Sequence, residues 1–246
     1  MRYRDCIFDL YGTLVDIRTD EESPALWSAM AAYYGERGAD YRPEELREAY
    51  CRAVREAEAG GAAPFRRDAH EAHPEIRIEY IFLRLFQEKG AGADLEQAVR
   101  AGKRFRVLST EYIRLYDGAA ELLRTLRSGG RNVWLLSNAQ GIFTRMELDG
   151  LGLTPLFDGI YLSSDYGVRK PDRRFFNILL QERSIAPDTA VMVGNDGFCD
   201  VGGGRAAGLS TVYIRSNLTP DEPPPPADVL LEAMDLKQVG KILTGA

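Results

Sequence analysis

"CIFDLYGTLVD", Cys6 to Asp16, begins as a buried strand and stops on an acid. Cys6, Ile7 and Phe8 are apolar, Asp9 ends the run, and Tyr11-Gly12-Thr13 breaks the chain into a turn. An apolar run without polar alternation marks a strand covered on both faces, as strands of parallel sheets are. A carboxylate at the tip of such a strand needs a reason, because a charge beside a core is costly unless it is paired.

The same pattern returns after residue 108. "NVWLLSN" (132–138) is an apolar strand ending on a polar pair, and "AVMVGND" (190–196) is one ending on an acid. "FDGIYLSS" (157–164) and "STVYIRS" (210–216) read as two more strands, with helical stretches between them. Strands alternating with helices predict an α/β fold, a doubly wound parallel sheet of Rossmann-like organisation. Residues 17–108 differ: "SPALWSAMAAYYGERG", "RPEELREAYCRAVREAEAG", "PEIRIEYIFLRLFQEKG" and "DLEQAVRAGKRFRVLS" all read as helices. That insertion is too long for a βα loop. The expected organisation is therefore a core of residues 1–16 and 109–246 with a mostly helical cap, 17–108, over the sheet. Hinges are expected near Val15–Asp20 and Leu108–Glu111. The tail, with four prolines in a row at 223–226, reads as an extended linker before a last helix.

Composition narrows the class. The chain has 246 residues, 45% hydrophobic and 28% charged, and a formal net charge of -6. A net acidic chain has no bulk attraction to nucleic acid or anionic membrane, and no run approaches a membrane span. Cys6, Cys51 and Cys199 stand too far apart in sequence for a metal or redox motif, and an odd number argues against a disulfide framework. A reduced cytoplasmic setting fits best.

In a parallel sheet, sites form beyond the carboxyl ends of the strands. The first strand delivers Asp9 and, through its turn, Gly12 and Thr13. The second delivers Ser137 and Asn138, the loop after "YLSS" carries Lys170, and the next strand delivers Asn195 and Asp196, with Asp200 one turn on. A carboxylate there can attack an electrophile if a cation holds it ionised; Lys170 can do that and also neutralise an anionic small-molecule substrate. Ser137, Thr13 and the N–H groups of the Tyr11-Gly12-Thr13 turn can hold oxyanion oxygens. Two further acids near Asp9 would repel it unless a hard cation such as Mg2+ sits between them.

At these residues the sequence resembles the haloacid dehalogenase-like hydrolase superfamily, through four motifs in order: "FDLYGTLVD", "WLLSNAQ", "VRKPDRRFF" and "VMVGNDGFCD". The resemblance implies that Asp9 is the nucleophile, and that Thr13, Ser137 and Lys170 bind the transferred or leaving anion. It also implies Mg2+ contacts from Asp9, the Tyr11 carbonyl, and Asn195 or Asp196 together with Asp200. Three positions depart from a single subfamily pattern. Phosphatases of the superfamily carry a second Asp where Tyr11 stands, for general acid–base work. "DxYGT" is instead similar to the metal-independent dehalogenases, whose halide leaving group needs no proton. Those dehalogenases carry a tyrosine where Phe176 stands. The fourth motif, with Asp196 and Asp200, is similar to that of the phosphatases, although Asn195 replaces its first acid.

The favoured expectation is a Mg2+-dependent phosphatase of a small phosphorylated metabolite, with a good leaving group or an acid from the cap, Asp16 or Asp20. The alternatives are a metal-independent 2-haloacid dehalogenase and a weakly catalytic, ligand-binding fold. Arg66 and Arg67 could clamp a substrate anion, and His70 and His73 could ligate a metal, although a solvated turn explains both pairs. Trp27, Tyr33, Tyr34 and Tyr41 read as cap packing.

Overall fold

The computed structural model of the chain describes residues 3–60, 73–223 and 225–245. Arg66, Arg67 and His70 lie outside the described residues. The strands are β1 (Asp5–Phe8), β2 (Val15–Thr19), β3 (Thr110–Leu115), β4 (Asn132–Ser137), β5 (Gly159–Leu162), β6 (Ala190–Gly194), β7 (Ser210–Ile214) and β8 (Val229–Leu231). The helices are α1 (Pro24–Gly35), α2 (Pro43–Gly60), α3 (Ile78–Glu88), α4 (Leu95–Ser109), α5 (Ala119–Ser128), α6 (Gly141–Gly150), α7 (Ser163–Tyr166), α8 (Arg173–Glu182), α9 (Gly203–Ala206) and α10 (Leu236–Thr244).

Six strands form one parallel sheet in the order β5-β4-β1-β6-β7-β8. Phe8 of β1 pairs with Leu135 of β4 on one side and Val193 of β6 on the other. The chain runs outward from β1 through β4 and β5, then returns to run the other way through β6, β7 and β8. A crevice opens beyond the strand ends at such a reversal, and Asp9 stands at its centre.

Both faces of the sheet are covered, which explains the unbroken apolar runs. Cys6, Phe8, Leu135 and Val193 turn toward Leu123 of α5 and Val239 of α10. Ile7, Leu136 and Met192 turn the other way, toward Phe175 and Phe176 of α8. The period of two is present, but both faces are core. Helices α1 to α4 enclose a separate aromatic cluster that includes Trp27, Tyr34, Tyr50, Phe82 and Phe105. Trp27 and Phe105 rings lie 5.6 Å apart and Tyr50 and Phe105 5.1 Å apart, within the range of favourable ring contacts. Trp27, Tyr33 and Tyr34 are buried, and Tyr41 donates to the Leu85 carbonyl, so all four pack within the helical segment. No helix among the described residues is long and apolar enough to cross a membrane.

Three elements differ from the sequence expectations. The segments expected as hinges pair with each other: β2 and β3 form an antiparallel ribbon, with a register shift at Arg18/Thr19. The third helix starts at Ile78, not Pro74, because the backbone before it is engaged elsewhere: Pro74 pairs with Val168, and the Glu75 N–H donates to the Gly167 carbonyl. The tail is more than a linker, since β8 adds a sixth strand beside β7.

Candidate active site

The first strand fixes Asp9 by continuing its ladder: the Asp9 N–H donates to the Val193 carbonyl at 3.0 Å. The residue is 8% exposed, and its side chain receives two donors on Oδ1, Ser137 Oγ at 3.0 Å and Lys170 Nζ at 2.7 Å. Lys170 Nζ also donates to Asp200 Oδ1 at 2.6 Å. Burial alone pulls the Lys170 ammonium down, yet the Asp200 and Asp9 carboxylates overcome it and hold it above the usual lysine range. Burial pushes the Asp200 carboxyl up to about 7; Lys170 opposes the rise, and Asp9 and Asp196 add to it. Both partners of one ion pair thus shift upward. Two carboxylates share one ammonium and Asp196 stands nearby, so that cation is held firmly while negative charge remains in excess.

The sequence placed Ser137, Lys170 and Asp200 beside Asp9, and the structure brings them together. Asn138 has a different part from the one expected. Its Nδ2 donates to the Lys170 carbonyl at 2.9 Å and its Oδ1 accepts from the Lys170 N–H at 2.7 Å. This two-point clamp fixes the lysine's backbone, and Asn138 also lines the cavity. Thr13 turns inward, its Oγ1 donating to Asn195 Oδ1 at 3.1 Å.

The turn after Asp9 corrects a second expectation. Gly12 N–H donates to the Val15 carbonyl at 2.8 Å and Thr13 N–H to the Leu10 carbonyl at 3.2 Å, so neither is aimed at a ligand. The amides without a backbone acceptor among the described residues are those of Leu10 and Tyr11. The difference follows from Gly12, whose φ of +83° folds the turn back on itself. A Cβ at Gly12 would also lie 2.3 Å from Asn195 Nδ2.

Asp196 caps the π-type turn Gly197–Gly202, its Oδ1 accepting from the Phe198 N–H at 2.9 Å and the Cys199 N–H at 2.7 Å. Asp200 Oδ2 accepts from the Asp196 N–H at 3.0 Å. Among the described residues nothing donates to Asp9 Oδ2, and no group of three acidic, histidine or cysteine side chains forms a cage for a metal. The donors nearby are all oxygens, from Asp9, Asp200, Asp196, Asn195 and the backbone. A hard cation that keeps its waters needs only one or two carboxylates. The all-oxygen donor set and the excess negative charge therefore fit Mg2+. Asp9, Tyr11, Ser137, Lys170, Asp200 and Leu218 are among the described residues lining a cavity of about 160 Å³ here.

Tyr11 faces this cavity, but its hydroxyl is committed elsewhere. It donates to Glu147 and shares a 3.0 Å bond with Thr144 Oγ1. Burial and the adjacent Glu147 carboxylate push its phenol above the usual tyrosine range. Glu147 also holds Arg106 of α4, with Nε to Oε1 at 2.6 Å. Tyr11 thus braces the first turn of the site against α6 and α4. Sequence reasoning missed this unit, and no spacing links Arg106, Thr144 and Glu147 to the four motifs. The acids expected from the cap are not at the site either. Asp16 is held by Arg114, Tyr112 and Asn217, and Asp20 caps the Glu22 N–H. Phe176 is buried against Gly203, not turned to the cavity. His73 gives its backbone to the loop of Lys170: its N–H donates to Asp172 Oδ2 and its carbonyl accepts from the Arg169 N–H.

Gly194 makes the arrangement of Asp200 possible. A Cβ there would lie 2.2 Å from Asp200 Oδ2. Gly194→Ala is expected to drive the carboxylate off Lys170 and lower kcat by about 10²-fold, the scale of a misplacement of about 1 Å. Steady-state kinetics of a folded variant checks this; wild-type kcat would show that the Asp200–Lys170 contact is dispensable.

The comparisons agree with this geometry. The description "haloacid dehalogenase-like hydrolase" matches residues 3–208. A phosphoserine phosphatase of Thermus thermophilus is 34% identical over 160 residues, 63% of this chain and 64% of that protein's length. (S)-2-Haloacid dehalogenase 4A of Burkholderia cepacia is 26% identical over 225 residues, 89% of this chain and 86% of that protein. Among solved structures, a 2-haloacid dehalogenase from Pseudomonas syringae superposes with a TM-score of 0.64 at 20% identity, covering 99% of both chains. A HAD phosphatase from Thermococcus onnurineus gives 0.61 at 20% identity over 98% of both. The structural matches speak for the fold, and the match over residues 3–208 for the family. With an acid at the end of β1 bound to a lysine and a serine from neighbouring strand ends, the chain belongs to the haloacid dehalogenase-like hydrolases.

Proposed function

We propose that the protein is a phosphohydrolase of small phosphorylated metabolites, with Asp9 as the covalent nucleophile and residues 17–108 closing over it as a cap. One observation carries this reading over the dehalogenase one: Asp9 and Asp200 share the single ammonium of Lys170, and burial with the Asp9 and Asp196 carboxylates pushes Asp200 up to about 7. A site with that much excess negative charge suits a cation and a substrate that brings its own oxygens.

Asp9 Oδ2, which has no donor among the described residues, attacks phosphorus, and the bond to the leaving oxygen breaks with its electron pair. Lys170 and Ser137 both donate to Asp9 Oδ1 and fix its orientation. The Leu10 and Tyr11 amides and Lys170 hold the equatorial oxygens. Water then attacks the phosphorus of the aspartyl phosphate and frees Asp9. Asp9, Asp200 and the Tyr11 carbonyl, with Asn195 or Asp196, would hold Mg2+, which would supply charge neutralisation.

With the Tyr11 hydroxyl donating to Glu147, the position where the phosphatases carry their second Asp offers no proton to the leaving oxygen. General acid help is worth roughly 10²–10⁴-fold. Acetyl phosphate, whose leaving group is a stable carboxylate, is therefore expected to be hydrolysed faster than an alkyl phosphate by about that factor. Phosphate release should vanish with a chelator and return with Mg2+. The same Tyr11 favours the second reading, because a halide leaves unprotonated. Chelator-resistant halide release from 2-chloropropionate, with no phosphate released from acetyl phosphate, would replace the phosphatase by the dehalogenase.

A further inference from the structure

The sequence between β7 and β8 reads as a linker, yet it reaches the cavity of Asp9. Leu218 and Pro220 line that cavity together with Asp9 and Lys170. We propose that this loop is the core-side wall that selects substrates, favouring a short, uncharged group beside the reacting anion, with Asn217 as its positioning residue. This inference rests on Asp9 being the reacting carboxylate.

The loop is tied down at both ends. Asn217 Nδ2 donates to Asp16 Oδ1 at 2.9 Å, and Tyr116 Oη donates to Asn217 Oδ1 at 2.5 Å. Asp16 sits on β2 and is gripped by Arg114 of β3, with Nε at 2.9 Å and Nη2 at 2.7 Å. One side chain therefore joins the wall to both strands that lead to the helical segment. Ser216 and Thr219 close a local turn around Leu218: the Ser216 N–H donates to Thr219 Oγ1 at 2.9 Å and the Thr219 N–H to the Ser216 carbonyl at 3.2 Å. Farther on, Pro225 packs against Gly197, where a Cβ would meet it at 3.2 Å. Asp228 Oδ2 then accepts from the Thr211 N–H at 2.8 Å and from Thr211 Oγ1 at 3.0 Å. Fixed φ angles at Pro220, Pro223, Pro225 and Pro226 leave these residues little freedom. The wall is thus formed before a ligand arrives, and preformed walls discriminate.

Size and charge give the class of ligand. A cavity of about 160 Å³ is small against the roughly 300–1,000 Å³ of common ligand sites. Among its described lining residues the cation is Lys170, already shared by Asp9 and Asp200. A second anionic group on the substrate finds no counter-charge there, whereas a short alkyl or acyl chain finds Leu218 and Pro220.

Alkylphosphonates report this without turnover, because their C–P bond is not cleaved by phosphoryl transfer to Asp9. Methyl-, propyl- and hexylphosphonate are titrated calorimetrically into the full chain with Mg2+ present, with orthophosphate as reference. The wild type is expected to bind the propyl compound at least about tenfold more tightly than the hexyl one, the scale set by pocket fit to a methylene or two. Leu218→Ala should move the preference toward hexylphosphonate, Leu218→Trp toward methylphosphonate, and Asn217→Ala should flatten it. A chain-length profile identical in the wild type and both Leu218 variants overturns the inference, and so does a wild type that binds none of the phosphonates. If acetyl phosphate is not hydrolysed but the Leu218 variants still reorder the series, the phosphatase reading fails and this one stands.

Discussion

Asp9→Asn is expected to lower turnover by more than about 10⁴-fold without unfolding the protein; removal of a covalent nucleophile elsewhere costs on the order of 10⁶-fold. Asparagine keeps the shape of the side chain, and its Oδ1 can still accept from Ser137 Oγ and Lys170 Nζ. What it loses is the ionised oxygen that attacks. Stability should move the other way. Asp9 is one of the charges that raise the Asp200 carboxyl, so its neutralisation relieves a buried repulsion. The variant should melt at or above the wild-type temperature, the trade-off expected where a charge is kept for chemistry. Single-turnover kinetics and thermal unfolding together check this, and mass spectrometry of the quenched wild type should reveal a covalent adduct on Asp9. An Asp9→Asn protein within tenfold of wild-type turnover would remove Asp9 from the reaction.

How much of this was legible in the sequence depends on the kind of information each residue carries. Asp9, Ser137 and Asn195 follow apolar runs directly, and in a parallel sheet all such ends share one edge, so pattern alone brings them together. Lys170 is legible through its place in a loop that follows a strand. Orientation is not legible in the same way. Asn138 stands one residue from Ser137, yet it clamps the Lys170 backbone, a pairing across 32 residues of sequence that no periodicity encodes. Which N–H groups of the first turn stay available depends on the left-handed φ of Gly12: the sequence suggested Tyr11, Gly12 and Thr13, and the fold leaves Tyr11 with Leu10. Tyr11 was readable as a missing acid but not as a brace, because Glu147 and Arg106 reach it from separate helices by long side chains. The β8 strand spans only Val229–Leu231, too short to stand out beside a proline run. The ribbon of β2 and β3 hid for a related reason: its strands sit where a strand pattern and a helix pattern meet.

Lys170→Met is expected to lower stability as well as activity, and the two losses can be separated. Lys170 is 2% exposed, and its ammonium is the shared partner of Asp9 Oδ1 and Asp200 Oδ1. Methionine replaces the stem but not the charge. Breaking a buried ion pair by removing one partner costs about 3–5 kcal/mol, which in a chain of this size lowers Tm by roughly 6–20 °C. The lower end is expected at neutral pH. Asp200 already stands at about 7 with Lys170 opposing the rise, so without the lysine it takes up a proton and sheds part of the penalty. Lys170→Met/Asp200→Asn separates charge from packing. If the penalty is an uncompensated carboxylate, the double variant recovers about half of the lost Tm or more, as expected for neighbours that couple. If the loss is only one of stem packing, the second substitution brings no recovery and the electrostatic account fails. Activity should not return in either case, since the site loses the cation that faces Asp9 and the transferred anion; removing a preorganised charge of this kind costs on the order of 10²–10³-fold. A double variant that regains Tm while staying inactive would assign Lys170 two distinct parts, compensation of Asp200 in the fold and activation of Asp9 in the reaction.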